Sequence, residues 1–140
     1  MVHKSISEKQ LLDKIRDKQI LVIDDAGSSR DLIRSVLSEL ELMNVSVTHN
    51  GLDALDLFKE QKFDLVITDW DMPVMSGIEF VIKIRSQFDK QALPIIMLTA
   101  NIQADMVKMA IAEGVNDFLA KPFQPANLQL KVIKLLGSRA

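Results

Sequence analysis

From residue 19 onward the chain alternates short apolar runs with longer amphipathic stretches, and this alternation limits the fold more than any other feature. The runs fall at residues 20–24, 45–48, 63–68, 95–98 and 117–120 and are rich in Val, Ile and Leu. Their apolarity is largely continuous rather than every second residue, which marks strands covered on both faces, as in a parallel sheet. The stretches between them carry helical spacing and helical punctuation. Residues 30–41 set Leu32, Ile33, Val36, Leu37 and Leu40 on one side. Asn50 is placed to cap the helix through Ala54, Leu55 and Phe58. Ser76 with Glu79 forms a capping box, and Met75 with Phe80 its hydrophobic staple. Gly114 ends the helix over 104–113, and Pro125 opens a last helix with Leu128, Val132, Leu135 and Leu136 inward. The expectation is an α/β chain, a doubly wound three-layer (βα)5 sandwich. Residues 8–17 predict one further short helix, capped by Ser7 with Gln10 and stapled by Ile6 and Leu11. Its stripe of Leu11, Leu12 and Ile15 is expected to pack on its own domain rather than on a second copy, since most such stripes face a core.

Parallel strands deliver their carboxyl ends to one edge of the sheet, where ligands bind. Here those ends carry Asp24-Asp25, Asp69, Thr99 and Lys121. Three carboxylates, a hydroxyl and an ammonium therefore meet in one place. Clustered carboxylates raise one another's pKa unless a cation is present, and Lys121 alone cannot balance three. Hard oxygen donors of this kind suit a divalent metal, beside a phosphoryl group carried on an aspartate. The plainer reading is that Asp24 and Asp25 solubilise a loop or cap the next helix, with Ser28 and Ser29 following. The gathering of all five groups argues against it.

At 140 residues the chain has the length of one domain. A net charge of -2 and a pI near 5.7 give no footprint for nucleic acid, and the cationic cluster Lys131, Lys134 and Arg139 is thin. No cysteine is present, so disulfides, thiolate metal sites and thiol nucleophiles are excluded. No apolar run approaches a membrane span, and the N-terminus opens no signal peptide. A single-domain cytoplasmic protein is expected. His3 and His49 stand alone, without metal-ligand spacing, and the methionines, Met72, Met75, Met106 and Met109 among them, are read as packing.

The motifs Ile23-Asp24-Asp25, Thr68-Asp69-Trp70-Asp71-Met72-Pro73, Met75-Ser76-Gly77, Leu98-Thr99-Ala100 and Lys121-Pro122-Phe123 occur in order, each at a strand end. Together they resemble the response-regulator receiver domain, of the stand-alone CheY-like kind, over residues 19–136. On that resemblance residues 1–18 are an extension and 19–140 the receiver domain. The resemblance implies a five-stranded parallel sheet in the order 2-1-3-4-5. It implies Asp69 as phosphoryl acceptor and one Mg²⁺ per domain. Asp25, Asp69 and the Asp71 backbone carbonyl would ligate the cation, with Asp24 binding through water or directly. Thr99, Ala100 and Lys121 would hold the phosphoryl oxygens, and Lys121-Pro122 would be a cis peptide.

Thr99 and Phe118 would form the conformational switch, although Phe118 reads equally well as a core residue. Asp71 and Asn101 would overhang the phosphoryl group and tune its hydrolysis. The implied donor is a histidine kinase or a histidine phosphotransfer protein. The chain would catalyse only its own phosphorylation and dephosphorylation. Output would be protein contact through the face of residues 104–136, with no nucleic acid or membrane partner, from a monomer or weak dimer. Chemotaxis is one pathway that such receivers serve. Two rivals stand beside this reading. Asp69-Trp70-Asp71 resembles the Asp-x-Asp of haloacid-dehalogenase-type phosphatases, where the motif follows the first strand; here a complete βαβα unit precedes it. A phosphate sink or scaffold receiver would keep the whole site but transmit nothing.

Overall fold

A computed structural model describes residues 2–138, with side chains from residue 9 onward. The elements run α1 (Val2–Ile15), β1 (Ile20–Ile23), α2 (Gly27–Ser38), β2 (Val45–Thr48), α3 (Gly51–Leu57), β3 (Leu65–Asp69), α4 (Gly77–Ile84), β4 (Ile95–Thr99), α5 (Ala104–Glu113), β5 (Asp117–Ala120) and α6 (Pro125–Gly137). All strand pairs are parallel, in the order β2-β1-β3-β4-β5. The expected doubly wound sandwich is therefore the fold. Among the described residues no helix is long and apolar enough to cross a membrane.

Period-two alternation within the buried strands divides the core into two layers. Leu21, Ile23, Val66, Ile95 and Met97 pack with Phe80, Val81 and Ile84 of α4 and Ala110 of α5. Ile20, Val22, Leu65, Ile67, Ile96 and Leu98 pack with the apolar faces of α2 and α6 and with Ile15 of α1. Helix starts and stops follow the local chemistry. The Asn50 side chain accepts the Asp53 N–H at 2.9 Å. Ser76 and Glu79 close a reciprocal capping box at 3.3 and 3.1 Å. Gly114 ends α5 at φ 107°, a conformation that costs glycine little. Met75 and Phe80 are buried in the same cluster.

Two expectations are corrected. Helix α2 begins at Gly27, three residues early, and leaves Leu32 46% exposed. Its buried face is Ile33, Val36 and Leu37, and Leu32 is rotated about 100° from Ile33. Helix α1 starts at Val2, so Ser7 is an interior helical residue rather than the residue before the first turn; the side chains of Ile6 and Ser7, on which the expected capping box and staple rest, lie outside those described. The docking expectation holds. Ile15 is fully buried, Leu12 partly so, and Leu11 lies against Gly137 of α6, where an added Cβ would come within 2.9 Å of Leu11 Cδ1.

Candidate functional site

The carboxyl ends of β1, β3, β4 and β5 bring Asp24, Asp25, Asp69, Thr99 and Lys121 to one edge of the sheet, as the strand pattern requires. One carboxylate oxygen from each of Asp24, Asp25 and Asp69 lies within 4.8 Å of the others. The three differ sharply in surroundings: Asp24 is fully buried, Asp69 half-buried and Asp25 exposed. Asp24 is the most heavily bonded. Its Oδ1 accepts the Ala26 N–H at 3.0 Å, and its Oδ2 accepts both the Ser29 hydroxyl at 2.6 Å and Lys121 Nζ at 2.7 Å. Arg30 donates to its backbone carbonyl at 2.8 Å. Asp69 accepts the Trp70 N–H on Oδ1 at 2.8 Å and faces Lys121 Nζ across 3.5 Å on Oδ2. The ammonium thus sits closer to Asp24 than to Asp69, while remaining within ion-pair distance of both.

Burial pushes the Asp69 carboxyl above its usual range, and neighbouring Asp24 pushes it the same way; Lys121 and the Trp70 N–H only partly offset this. An anion held in that state gains from a nearby cation. A set of close, hard carboxylate oxygens fits a divalent ion such as Mg²⁺.

Lys121 follows β5, and its bond to Pro122 is cis, as expected. Its own N–H donates to the Thr99 carbonyl at 2.9 Å, tying the ends of β4 and β5 together. Thr99 is buried, and its hydroxyl oxygen accepts the Asn101 N–H at 3.1 Å. Ala100, Asn101 and Asp71 are exposed around the edge. Phe118 is half-buried and packs on the layer containing α4 and α5, together with Met106. On the face formed by α5, β5 and α6, Ile102 and Leu130 are exposed, and Lys131 pairs with Asp117 at 3.0 Å.

The β3–α4 loop closes tightly over the end of β3. Gly77 donates its N–H to the Trp70 carbonyl at 2.8 Å. A Cβ on Gly77 would fall on the Asp69 carbonyl oxygen, so only glycine permits this approach. Val74 takes φ 70° inside an i→i+2 turn, with Met75 N–H donating to Pro73 O at 2.7 Å. Nothing in the sequence of Val74 marks that conformation, which is disfavoured for a β-branched residue. Sequence reasoning also missed Arg30 and read Ser29 only as part of a helix start; the signal was a hydroxyl and a guanidinium one helical turn beyond the acidic pair.

Known proteins share the family and the fold. Residues 20–133 match the family model described as response regulator receiver domain. The chain is 35% identical over 120 residues to chemotaxis protein CheY-3 of Vibrio cholerae, covering 86% of this chain and 92% of that one. The solved structure of the chemotaxis response regulator CheY4 of Vibrio cholerae is 31% identical, with a TM-score of 0.76, over 84% of this chain and 98% of that one. The receiver domain of sensor histidine kinase PA1611 from Pseudomonas aeruginosa, solved with a magnesium ion coordinated in its active-site cleft, is 31% identical, with a TM-score of 0.76, over 86% of this chain and 98% of that one.

Proposed function

Since this chain belongs to the response-regulator receiver family and is of the CheY type, we propose that it is a phosphorylation-dependent switch whose acceptor is Asp69. The observation that carries this reading is the convergence of Asp24, Asp25 and Asp69 within 4.8 Å, with Lys121 Nζ beside two of them. A phosphohistidine on a kinase or phosphotransfer protein presents its phosphorus to Asp69 Oδ2. The N–P bond breaks, the O–P bond forms, and the electron pair returns to the imidazole nitrogen. Bound Mg²⁺ supplies positive charge where two anions meet. Asp25, Asp69 and the Asp71 carbonyl would hold it, with Asp24 behind them.

The chain's own groups do the remaining work. Lys121 moves toward the transferred oxygens, and the Thr99 hydroxyl and the Ala100 N–H donate to them. This is positioning and charge stabilisation, the usual content of phosphoryl transfer. Drawing Thr99 inward from Asn101 opens room for the Phe118 ring, which reshapes the face of α5, β5 and α6. Asp71 and Asn101 would then govern access of the hydrolytic water. The downstream partner would be a protein bound at that face, from a cytoplasmic monomer or weak dimer; the Lys131–Asp117 pair made within the chain supports the monomer. Chemotaxis signalling fits the names of the relatives. The position of Asp69 at the end of the third strand, with the family match, favours a receiver over a phosphatase.

The test is incubation with a small phosphodonor and Mg²⁺, followed by intact-mass spectrometry. The protein should take up one phosphoryl group, and Asp69→Ala should take up none while remaining folded. Stoichiometric labelling of Asp69→Ala would reject the acceptor assignment.

A further inference from the structure

Asp24 is the buried carboxylate of the cluster, and its hydrogen bonds restrict how it can meet a cation. A carboxylate offers about four lone-pair directions. On Asp24 three are taken: Oδ1 by Ala26 N–H at 3.0 Å, and Oδ2 by Ser29 Oγ–H at 2.6 Å and by Lys121 Nζ at 2.7 Å. Oδ2 is therefore saturated, and only Oδ1 keeps a free direction. Two of these donors have other reasons to be there. The Ala26 N–H belongs to the turn into α2, and Lys121 is shared with Asp69 at 3.5 Å. The Ser29 hydroxyl makes no other hydrogen bond among the described residues than the one to Asp24.

We infer that Ser29 is a specificity-determining residue for the cation: by saturating Oδ2 it confines Asp24 to a single contact through Oδ1 and so favours Mg²⁺ over Ca²⁺. The inference rests on the metal-dependent reading above. Mg²⁺ requires a small, near-octahedral shell and keeps several waters, whereas Ca²⁺ takes six to eight oxygens and accepts bidentate carboxylates. A carboxylate limited to one oxygen, or to one bridging water, suits the first ion. Without the Ser29 hydroxyl, Oδ2 regains a free direction beside that of Oδ1. Asp24 can then chelate through both oxygens, and the larger ion gains the additional ligand. Ser29 sits in the first turn of α2, partly exposed beside Lys121, Pro122 and Leu32, so its replacement leaves both core layers intact.

The test is separate titration of the whole protein with Mg²⁺ and with Ca²⁺, followed through the fluorescence of Trp70, the single tryptophan. The wild type, Ser29→Ala, Ser29→Thr and Asp25→Asn are compared. In Ser29→Ala the ratio of Mg²⁺ to Ca²⁺ affinity should fall by about tenfold, the lower end of what losing an outer hydrogen-bond partner does at metal sites. Ser29→Thr, which keeps the hydroxyl, should restore the wild-type ratio. A merely structural role would weaken both ions together and leave the ratio unchanged. An unchanged ratio in Ser29→Ala, with wild type binding Mg²⁺, overturns the role of Ser29 and leaves the metal site standing. A wild type that shows no Mg²⁺ response, or one equal to that of Asp25→Asn, overturns the metal site and this inference with it.

Discussion

Replacing Gly77 by alanine tests how closely the β3–α4 loop constrains Asp69, the proposed acceptor. Gly77 opens α4, and its φ is not in the left-handed region that favours glycine; among the described glycines only Gly114 is. Without a steric conflict, alanine would gain up to about 1 kcal/mol from helix propensity and from a less flexible unfolded chain. The conflict reverses that sign. The new Cβ would land on the Asp69 carbonyl oxygen, with the Asp69 carbonyl carbon at 3.0 Å and Trp70 Cα at 3.2 Å. All three atoms are backbone, so no side chain can swing aside. Either the start of α4 or the end of β3 must retreat by about 1 Å, and overpacking of this kind costs about 1–3 kcal/mol or more. Because the clash is with backbone, the upper end of that range applies, and subtracting the propensity gain leaves a net loss of about 2 kcal/mol, or roughly 7 °C in melting temperature for a chain of this size. The displaced peptide is that of Asp69 itself, and a shift of about 1 Å in a reacting group costs on the order of 100-fold in rate. Urea denaturation and the rate of labelling by a small phosphodonor measure the two effects. A Gly77→Ala protein as stable as wild type, or labelled within about twofold of its rate, would refute the steric account.

Asp69 also sets a pH dependence. Its carboxyl is raised above the ordinary 3.8, chiefly by burial, so the folded protein binds that proton more tightly than the unfolded chain does. The resulting destabilisation is absent at pH below 3.8, develops as pH rises through the folded value, and persists at neutrality. Asp69→Asn should therefore melt at a higher temperature than wild type at pH 7, with the gap closing in acid and narrowing on addition of Mg²⁺; a variant that melts lower at pH 7 contradicts this. Arg85 makes a different kind of contribution. Its guanidinium donates to the carbonyls of Gly114, Phe88, Asp89 and Leu93 and to Asn116 Oδ1, at 2.7 to 3.1 Å, and burial lowers its pKa to about 10. Arg85→Met keeps the aliphatic stem but strands those acceptors, and should lower stability by about 3 kcal/mol in urea while leaving the labelling rate of the folded protein unchanged.

The parts of this structure that could be read from the sequence were those with periodic or punctuated signals. Short apolar runs gave the five strands, and Asn50, Ser76 with Glu79, Gly114 and Pro125 gave helix ends, because each acts through its own few neighbours. The candidate site residues were legible for the same reason: each stands at the carboxyl end of a strand or just beyond it, and parallel strands have only one carboxyl edge. What remained hidden depends on distance across the fold. Helix α1 starts at Val2, whereas the local chemistry of Ser7 with Gln10 pointed to a start at residue 8. Arg85 appears in the sequence as one more cation on an amphipathic helix, and its acceptors lie up to 31 residues away.

The pairing of Lys121 illustrates the limit most directly. A sequence can show that one ammonium meets three carboxylates, but not which it prefers, because that depends on how well each anion is already solvated. Asp24 is fully buried, where an unpartnered anion is costly, so it draws Lys121 to 2.7 Å and recruits Ser29 as well, while half-buried Asp69 is left at 3.5 Å. The consequence is functional. On the function proposed above, the acceptor would be the carboxylate with a weakly held partner on Oδ2, and the lysine that would follow the phosphoryl group is held nearby on a neighbouring anion. On that reading Asp69 has no short lysine pair of its own to break, and the ammonium would instead be drawn off Asp24.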